Sequence, residues 1–558
     1  MTEKREYTLV DHEKPYQFDE DGLHVTRGCA WSAPGCHLGC GILMYTDDEG
    51  RLVKVEGDPE NPFNQGRLCV RCLDLPEVVY SPDRILHPLK RAREDRGKDK
   101  WEPIGWDEAL DEIAGKILAA KEEYGPESVA FYSGTGRDIG QYITRLCWGF
   151  NSPNFVFLMS GQSCYSPRVA GCFSTSGSFW VGDYSQQFPD RYDNPDWKRP
   201  DLIVIWGNNP IVSNSDGLYG HWVVDCLKRG SRAIVIDPRM IWLASKAEHY
   251  LQIRPGTDGA LALGWINIII QEDLYDHEFV ENWTYGFEAL AERVQEYPPS
   301  KVAEITWIPE EEIVAAARMY AAAKPATIHW GLAVDMSKNG VITAHAIACL
   351  VGITGNIDVP GGNVLIDQAA SLEFGYNSGI WELEGTNMVE NRLGVKRYPL
   401  KQYGFTASSQ ADSILQAVET EQPHPVKMLW IESANPIANM GQDAPRLYRA
   451  LKTLDFVVVE DLFITPTAVA FADLVIPCAM SPERDCLRVW FDPLRTLTKA
   501  CSQYGECKSD ETIMIELGHK IHPEAWPEHV VDDRSYMNWR LERDGVVDED
   551  GSPMTMET

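Results

Sequence analysis

The chain has 558 residues, 44% of them hydrophobic, with 18 Trp and unremarkable Gly and Pro counts, which excludes a disordered or fibrous chain and allows several cores. Fifty-one basic residues against eighty-three acidic ones give a net charge of −32, which repels polyanions and argues against nucleic acid as a partner. The first residues, MTEKREYTLVDHEKPYQFDEDG, hold neither an apolar leader nor a twin-arginine signal, and no run approaches a bilayer span, so the expectation is a cytoplasmic, non-membrane protein.

In chain order, an N-terminal tail over 1–24 precedes a cysteine-rich segment, Cys29 to Cys72, that carries five of the fourteen cysteines. Cys29, Cys36 and Cys40 fall in one short Pro/Gly loop, and Cys69 and Cys72 follow two predicted strands, ILMYT and RLVKVEG, joined by the turn DDEG. Folding that hairpin gathers soft thiolates, suited to an iron–sulfur cluster or to zinc. For zinc, Cys36, Cys40, Cys69 and Cys72 make a tetrahedral set and leave Cys29 free. Fourteen cysteines in a chain of this class read as metal ligands plus reduced core residues, with Cys147 and Cys172 among the latter.

WDEALDEIAGKILAAKEEYG predicts a helix from Trp106 with Asp107 as its cap and Gly125-Pro126 as its stop. VAFYSG at Val129 and FVFLMSG at Phe155 predict strands, with a helix from Gly140 to Phe150 between them. From Asp201 the pattern becomes a parallel α/β unit: strand DLIVIW ending in Asn209-Pro210, helix HWVVDCLKRG, strand RAIVI ending in Asp237. Helices are expected over 260–271, 276–283, 309–323 and 341–354. A second block repeats the first: strand VKMLWIE ending in Asn435-Pro436, a helix over 443–452, and strand DFVVV ending in Glu460-Asp461.

In open α/β sheets ligands bind beyond the carboxyl ends of the strands, where turns and helix starts favour phosphate and an acidic residue accepts from a ribose hydroxyl or a guanine amine. Neither block carries the glycine fingerprint of ordinary nicotinamide dinucleotide folds, so the repeat implies two similar, unusual nucleotide-bearing ligands.

In order along the chain, PGCHLGCG, VEGDPENPFNQGRLCVRC, SPDRILHPLKR, GWDEALDEIA, WGNNP, IDPR, RPGTDGAL, GNIDVPGG, ANP and EDLFITPTAVAFADLVIP resemble the molybdopterin oxidoreductase superfamily of the DMSO reductase type. LYDHEFVENWTYGFEAL and RVQEYPPSKVAEIT are similar to its acetylene hydratase and catechol dehydroxylase branch. The resemblance implies an α/β multidomain fold with a small N-terminal iron–sulfur domain over 25–85. Two related dinucleotide-binding domains follow, one built from 86–160 and 360–535, the other from 161–359, with an acidic tail over 536–558. It implies a 4Fe-4S cluster on Cys29, Cys36, Cys40 and Cys69, and molybdenum or tungsten held between two molybdopterin guanine dinucleotides. The family spacing puts two residues between its first two cluster cysteines, whereas six separate Cys29 from Cys36, so Cys29 and Cys72 both stand as the fourth ligand.

By the same resemblance Cys164 is the thiolate on the metal, and Arg71 the cation between cluster and pterin. Asn209, Asp237, Arg239 and Asp258 are then contacts to one dinucleotide, and Asn435, Glu460, Asp461, Thr465 and Asp473 contacts to the other. The loop from Gly355 to Gly362 is expected to let backbone approach a ligand closely. His37 stands where acetylene hydratase has its aspartate, and is read as a general acid. Tyr165, Phe173, Phe179, Trp180 and Tyr184 are candidate walls of a phenol pocket or simply core.

The implied activity is reductive removal of oxygen or hydroxyl from an organic, catechol-type substrate, with an electron-transfer protein as partner. Non-redox hydration is the alternative. Family members usually continue into a further C-terminal barrel, so a subunit completed by a second chain is a third expectation.

Overall fold

In the computed structural model the described residues are 13–29, 39–134, 139–157, 166–186, 188, 190–212, 219–365, 388–399, 408–440, 443–488, 495–497, 499–547 and 550–556. The chain divides into one unit of residues 1–11 and 163–367 and another of residues 12–162 and 368–558.

The first unit is built on four parallel strands in the order His249–Leu251, Arg232–Ile236, Leu202–Trp206, Ala326–Trp330. Leu202–Trp206 is buried along its whole length, as expected of a parallel strand covered on both faces. Trp206 packs on Trp265 of helix Asp258–Gln271, and Trp330 stacks flat on Trp180 at 4.8 Å between ring centroids. Burying a tryptophan removes about 200 Å² of surface, worth about 5 kcal/mol at about 25 cal/mol per Å², so these rings dominate the local packing.

The second unit centres on a sheet in the order Glu102–Pro103, Leu89–Lys90, Leu474–Pro477, Phe456–Asp461, Met428–Glu432, Val129–Ser133, Phe155–Phe157. Its last five members are mutually parallel. The period of two sorts the side chains. Phe131, Trp430, Val458 and Ile476 face a core shared with helices Trp106–Tyr124, Gly140–Gly149 and Asp510–Ile521. Tyr132, Ile431, Val459 and Val475 face a core shared with helices Ala411–Thr420, Ala444–Leu451 and Pro466–Phe471.

The repeat read from sequence is therefore a repeat of topology. His249–Leu251, Arg232–Ile236 and Leu202–Trp206 occupy in one sheet the order that Leu474–Pro477, Phe456–Asp461 and Met428–Glu432 occupy in the other. Beside each central strand lies a fourth, Ala326–Trp330 or Val129–Ser133.

Several expectations change. Helix Trp106–Tyr124 starts from Gly105 with no side-chain cap, and Asp107 sits instead in its first turn. The expected tail over 1–24 contributes strands Gln17–Glu20 and Leu23–Cys29 to an antiparallel sheet completed by Gly41–Thr46 and Leu52–Gly57. The expected tail over 536–558 holds most of helix Asp533–Arg543, whose Tyr536, Met537 and Leu541 are core residues. The cysteine-rich segment groups with the second unit, and the first unit runs on to 367, taking in strand Asn363–Leu365, where a boundary at 359 was expected. Among the described residues no helix is long and apolar enough to cross a membrane.

Candidate functional site

The cysteine segment is pinned by its own side chains. Asn64 accepts from Gly41 N–H at 2.8 Å and donates to the carbonyls of Gly41 and Arg67 at 2.9 and 3.0 Å, drawing the stretch before Cys69 against the residue after Cys40. A Cβ on Gly41 would lie 2.4 Å from the Asn61 side chain, so only glycine fits there. Strand register sets Cys29 opposite Gly41.

Cys69 precedes the short helix Val70–Leu73, and one turn brings Cys72 beside it. The hydrogen bond from the Cys72 side chain, opposed by burial and aided by the Arg71 charge, pulls the Cys69 thiol down to about 5. By contrast burial pushes Cys172 and Cys226 up to about 12 and Cys147 higher still, which makes them inert core thiols. Cys29 is 6% exposed and belongs to the apolar core on the Trp430 face of the large sheet. Among the described residues no three His, Cys, Asp or Glu side chains converge to hold a metal ion. Cys36, His37, Cys164 and Tyr165 lie outside the described residues.

In the first unit the expected dinucleotide contacts gather at the carboxyl edge of the sheet. Asn209 follows strand Leu202–Trp206 and Asp237 follows Arg232–Ile236. Asp237 accepts from Arg239 N–H at 2.8 Å, and the largely exposed Arg239 guanidinium stands 3.8 Å away. Asp258 opens helix Asp258–Gln271 and accepts from the Trp206 indole at 2.9 Å, while burial raises its carboxyl above the usual range. The glycine loop does not belong to this edge. A Cβ on Gly361 would lie 2.0 Å from the Lys198 carbonyl, and Gly361 N–H donates to Asp183 at 2.8 Å. Its close approach is to the chain itself.

The aromatic set divides likewise. Phe173 is exposed, whereas Trp180 and Tyr184 are fully buried, Trp180 on Trp330 and Tyr184 hydrogen-bonded to His329 at 3.1 Å. Burial pushes His329 down to about 3, so it is a neutral core partner of Tyr184. Sequence reading missed the strand that carries His329 and Trp330. ATIHW, a short β-rich run between Pro325 and Gly331, was the available signal. It also missed Arg168, which grips Asp335 through Nε at 3.2 Å, Nη2 at 2.7 Å and its own N–H at 2.9 Å. No local pattern announces that pair.

In the second unit Asn435 accepts from Thr467 Oγ–H at 2.6 Å, Thr467 Oγ accepts from Ile437 N–H at 3.2 Å, and Thr465 caps helix Pro466–Phe471 through Ala468 N–H at 3.2 Å. Asp461 belongs to the same edge, with its carboxyl raised to about 6 chiefly by burial. Glu460, its neighbour, is turned into the protein and is 0% exposed. Asp473 has to be withdrawn from this group. Register sets Asp461 beside Pro477 and Val458 beside Leu474, so Asp473 lies at the opposite end of the strands. There it accepts from Arg96 Nε at 2.8 Å and from Val457 N–H at 2.9 Å, a buried structural node.

Comparison with known proteins accounts for this layout. The family model for molybdopterin oxidoreductases matches residues 84–520, and that for their Fe4S4 domain matches residues 33–81. The chain belongs to the molybdopterin oxidoreductase family. It is 31% identical to acetylene hydratase of Syntrophotalea acetylenica over 545 residues, covering 92% of this chain and 71% of that protein. Formate dehydrogenase H of Escherichia coli is 28% identical over 529 residues, covering 89% of this chain and 69% of that one. The solved structure of acetylene hydratase from Pelobacter acetylenicus superposes with a TM-score of 0.82 at 29% identity, covering 95% of this chain and 72% of that one.

Membership in the molybdopterin oxidoreductases brings a molybdenum or tungsten pterin and a 4Fe-4S cluster. The residues present fit both groups. A readily ionised thiol at Cys69 with Cys72 beside it suits iron, and each sheet offers polar turn residues at the edge where dinucleotides bind. The Fe4S4 match begins at residue 33, beyond Cys29 and inclusive of Cys72.

Proposed function

We propose that this molybdopterin oxidoreductase removes oxygen or hydroxyl reductively from an organic substrate of the catechol type. The pair of sheets with one shared strand order, each ending in an Asn-Pro turn and an acidic strand end, supports two bound dinucleotides, and the likeness of LYDHEFVENWTYGFEAL and RVQEYPPSKVAEIT to the acetylene hydratase and catechol dehydroxylase branch carries the substrate class. Asn209, Asp237, Arg239 and Asp258 bind one dinucleotide; Asn435, Asp461 and Thr465 bind the other. Glu460 stands behind them, and the reading assigns it no direct contact.

Cys36, Cys40 and Cys69 hold the cluster. The contact of Cys72 with Cys69, the start of the Fe4S4 match at residue 33 and the core position of Cys29 support Cys72 as the fourth ligand. Arg71 offsets the negative charge of the cluster on the pterin side. Cys164 supplies a thiolate to the metal, which when bound provides two-electron chemistry. His37 donates a proton to the departing oxygen. The balance is a C–OH group plus two electrons and two protons giving C–H and water, with electrons from a reduced carrier protein.

The similarity to acetylene hydratase favours a second reading, addition of water to an unsaturated substrate without net electron flow. Anaerobic turnover of the holoenzyme on a catechol, with and without a chemical reductant such as reduced viologen, separates the two. One viologen pair consumed per hydroxyl lost supports dehydroxylation, and turnover of an alkyne without reductant replaces it with hydration.

A further inference from the structure

Ser133, Glu432 and Glu460 stand level across three neighbouring parallel strands, Ser133 opposite Glu432 and Glu432 opposite Glu460. Aligned residues of parallel neighbours share a face and lie about 5 Å apart. The three side chains therefore form a row beyond Phe131, Trp430 and Val458, on the face covered by helix Asp510–Ile521. Ser133 Oγ–H donates to Glu432 Oε2 at 2.6 Å. Glu460 is 0% exposed, and among the described residues neither of its carboxyl oxygens has a hydrogen-bond partner. The Trp430 indole lies close to it without hydrogen-bonding geometry.

Among the described residues, the charged and titratable groups around Glu460 come from several neighbouring elements. Glu432 lies on the adjacent strand, Asp510 and Glu511 in the first turn of the covering helix, Cys478 beyond the strand on the other side, and Asp461 next in sequence. Among the described residues, Arg484 is the cation beside this group and is paired with Glu511 at 2.5 Å. Burying a carboxylate away from bulk solvent is costly. Two facing carboxylates in such a place do not both ionise. Burial and the neighbouring Asp510, Glu432 and Glu511 charges accordingly push Glu460 well above the usual carboxyl range.

From this geometry we infer that Glu432 and Glu460 share a single proton at neutral pH, forming a buried proton-binding site under the carboxyl edge of the second unit's sheet. The buried carboxyl of Glu460 supplies the acceptor, and Ser133 anchors Glu432 as the other half. The site also reaches the ligand edge. Glu432 C=O accepts from Gly134 N–H at 3.0 Å and Glu460 C=O accepts from Ser433 N–H at 3.2 Å, so the same two residues hold the turn that leads to Asn435. Losing the shared proton places two like charges across that turn, and alkaline pH loosens it. The proton site stands on its own geometry and does not depend on the proposed substrate.

Infrared difference spectroscopy of the full-length holoenzyme tests it. Wild type should show the carbonyl stretch of a protonated carboxyl that persists at pH 8 and shifts in heavy water. The band should be displaced in E460Q and in E432Q and absent from the double variant. Its absence from wild type, or its survival unchanged in the double variant, would overturn the shared proton. Wild type alone decides the first point, so poor folding of a variant does not remove the test. For the turn, the melting temperature of wild type should fall between pH 7 and pH 9 more steeply than that of E460Q; equal slopes would overturn the alkaline loosening.

Discussion

Trp206 donates its indole N–H to Asp258 at 2.9 Å, closing the end of a central strand onto the first turn of the helix that follows two strands later. The contact turns two residues far apart in sequence into one corner of a ligand edge. Trp206→Phe leaves a buried carboxyl without that donor, at a cost of about 1–3 kcal/mol. It should lower the calorimetric transition of the first unit and weaken retention of one dinucleotide. Asp258→Asn keeps an acceptor and removes the charge. Because burial raises Asp258 above its usual value, folding holds a proton that the unfolded chain has lost, and stability declines as pH rises from the ordinary carboxylate range. Asp258→Asn should flatten that decline.

Arg96 and Asp473 make a buried ion pair. Breaking such a pair by removing one partner costs about 3–5 kcal/mol. Arg96→Ala should therefore be strongly temperature-sensitive, yet the protein that folds at low temperature should carry a full complement of pterin dinucleotide by mass spectrometry. Selective loss of dinucleotide with normal melting would return Asp473 to the binding set.

Asp461, with a carboxyl near 6, changes charge within the working range of most enzymes. In the folded chain it holds its proton from the ordinary carboxylate range up to about 6 and is charged above that. N–H donors of a bound heterocycle favour the charged form, so dinucleotide retention should weaken as pH falls through this value. Asp461→Asn should remove the pH dependence of retention while lowering affinity; a curve identical to wild type refutes the contact.

The cluster assignment yields a paired comparison. Cys72→Ser should lower iron from four atoms per chain and change the reduced-state EPR signal, while Cys29→Ser should leave both intact. The opposite pattern restores Cys29 as the ligand.

Gly361 has φ of 75° and no room for a Cβ against Lys198. Gly361→Ala should destabilise the first unit by distorting that turn, and urea titration should register it as a lower midpoint without preferential loss of either dinucleotide. An effect confined to cofactor content would restore the loop as a ligand cradle.

Strands such as LIVIW and the FVVV of Phe456–Asp461 were legible because both faces are buried and these runs are continuously apolar. The Asn-Pro and acidic strand ends were legible because they punctuate those runs twice. Asp473 was misplaced for a physical reason. It sits within a motif beside the ligand edge in sequence, but a strand's length separates it from Asp461, and only register with Val457 reveals its partnership with Arg96. Nor does sequence distinguish Glu460 from Asp461. Adjacent residues on a strand face opposite sides, and which side is interior depends on the helix near residue 510. Trp180 and Tyr184 stood open between pocket wall and core because composition does not tell a ring facing solvent from one stacked on Trp330 or bonded to His329.

Ser133 and Glu432, joined by one hydrogen bond, are 299 positions apart, with the whole of 163–367 between them in the chain. On the ribosome the first unit's parallel sheet therefore has all its strands in hand while the second unit's central strand is still unmade. Until Met428–Glu432 emerges, Val129–Ser133 waits with an unpaired apolar edge, the kind of surface chaperones recognise. Nascent chains arrested before Met428 should aggregate through that edge, which makes the order of synthesis itself a constraint on how this enzyme is produced.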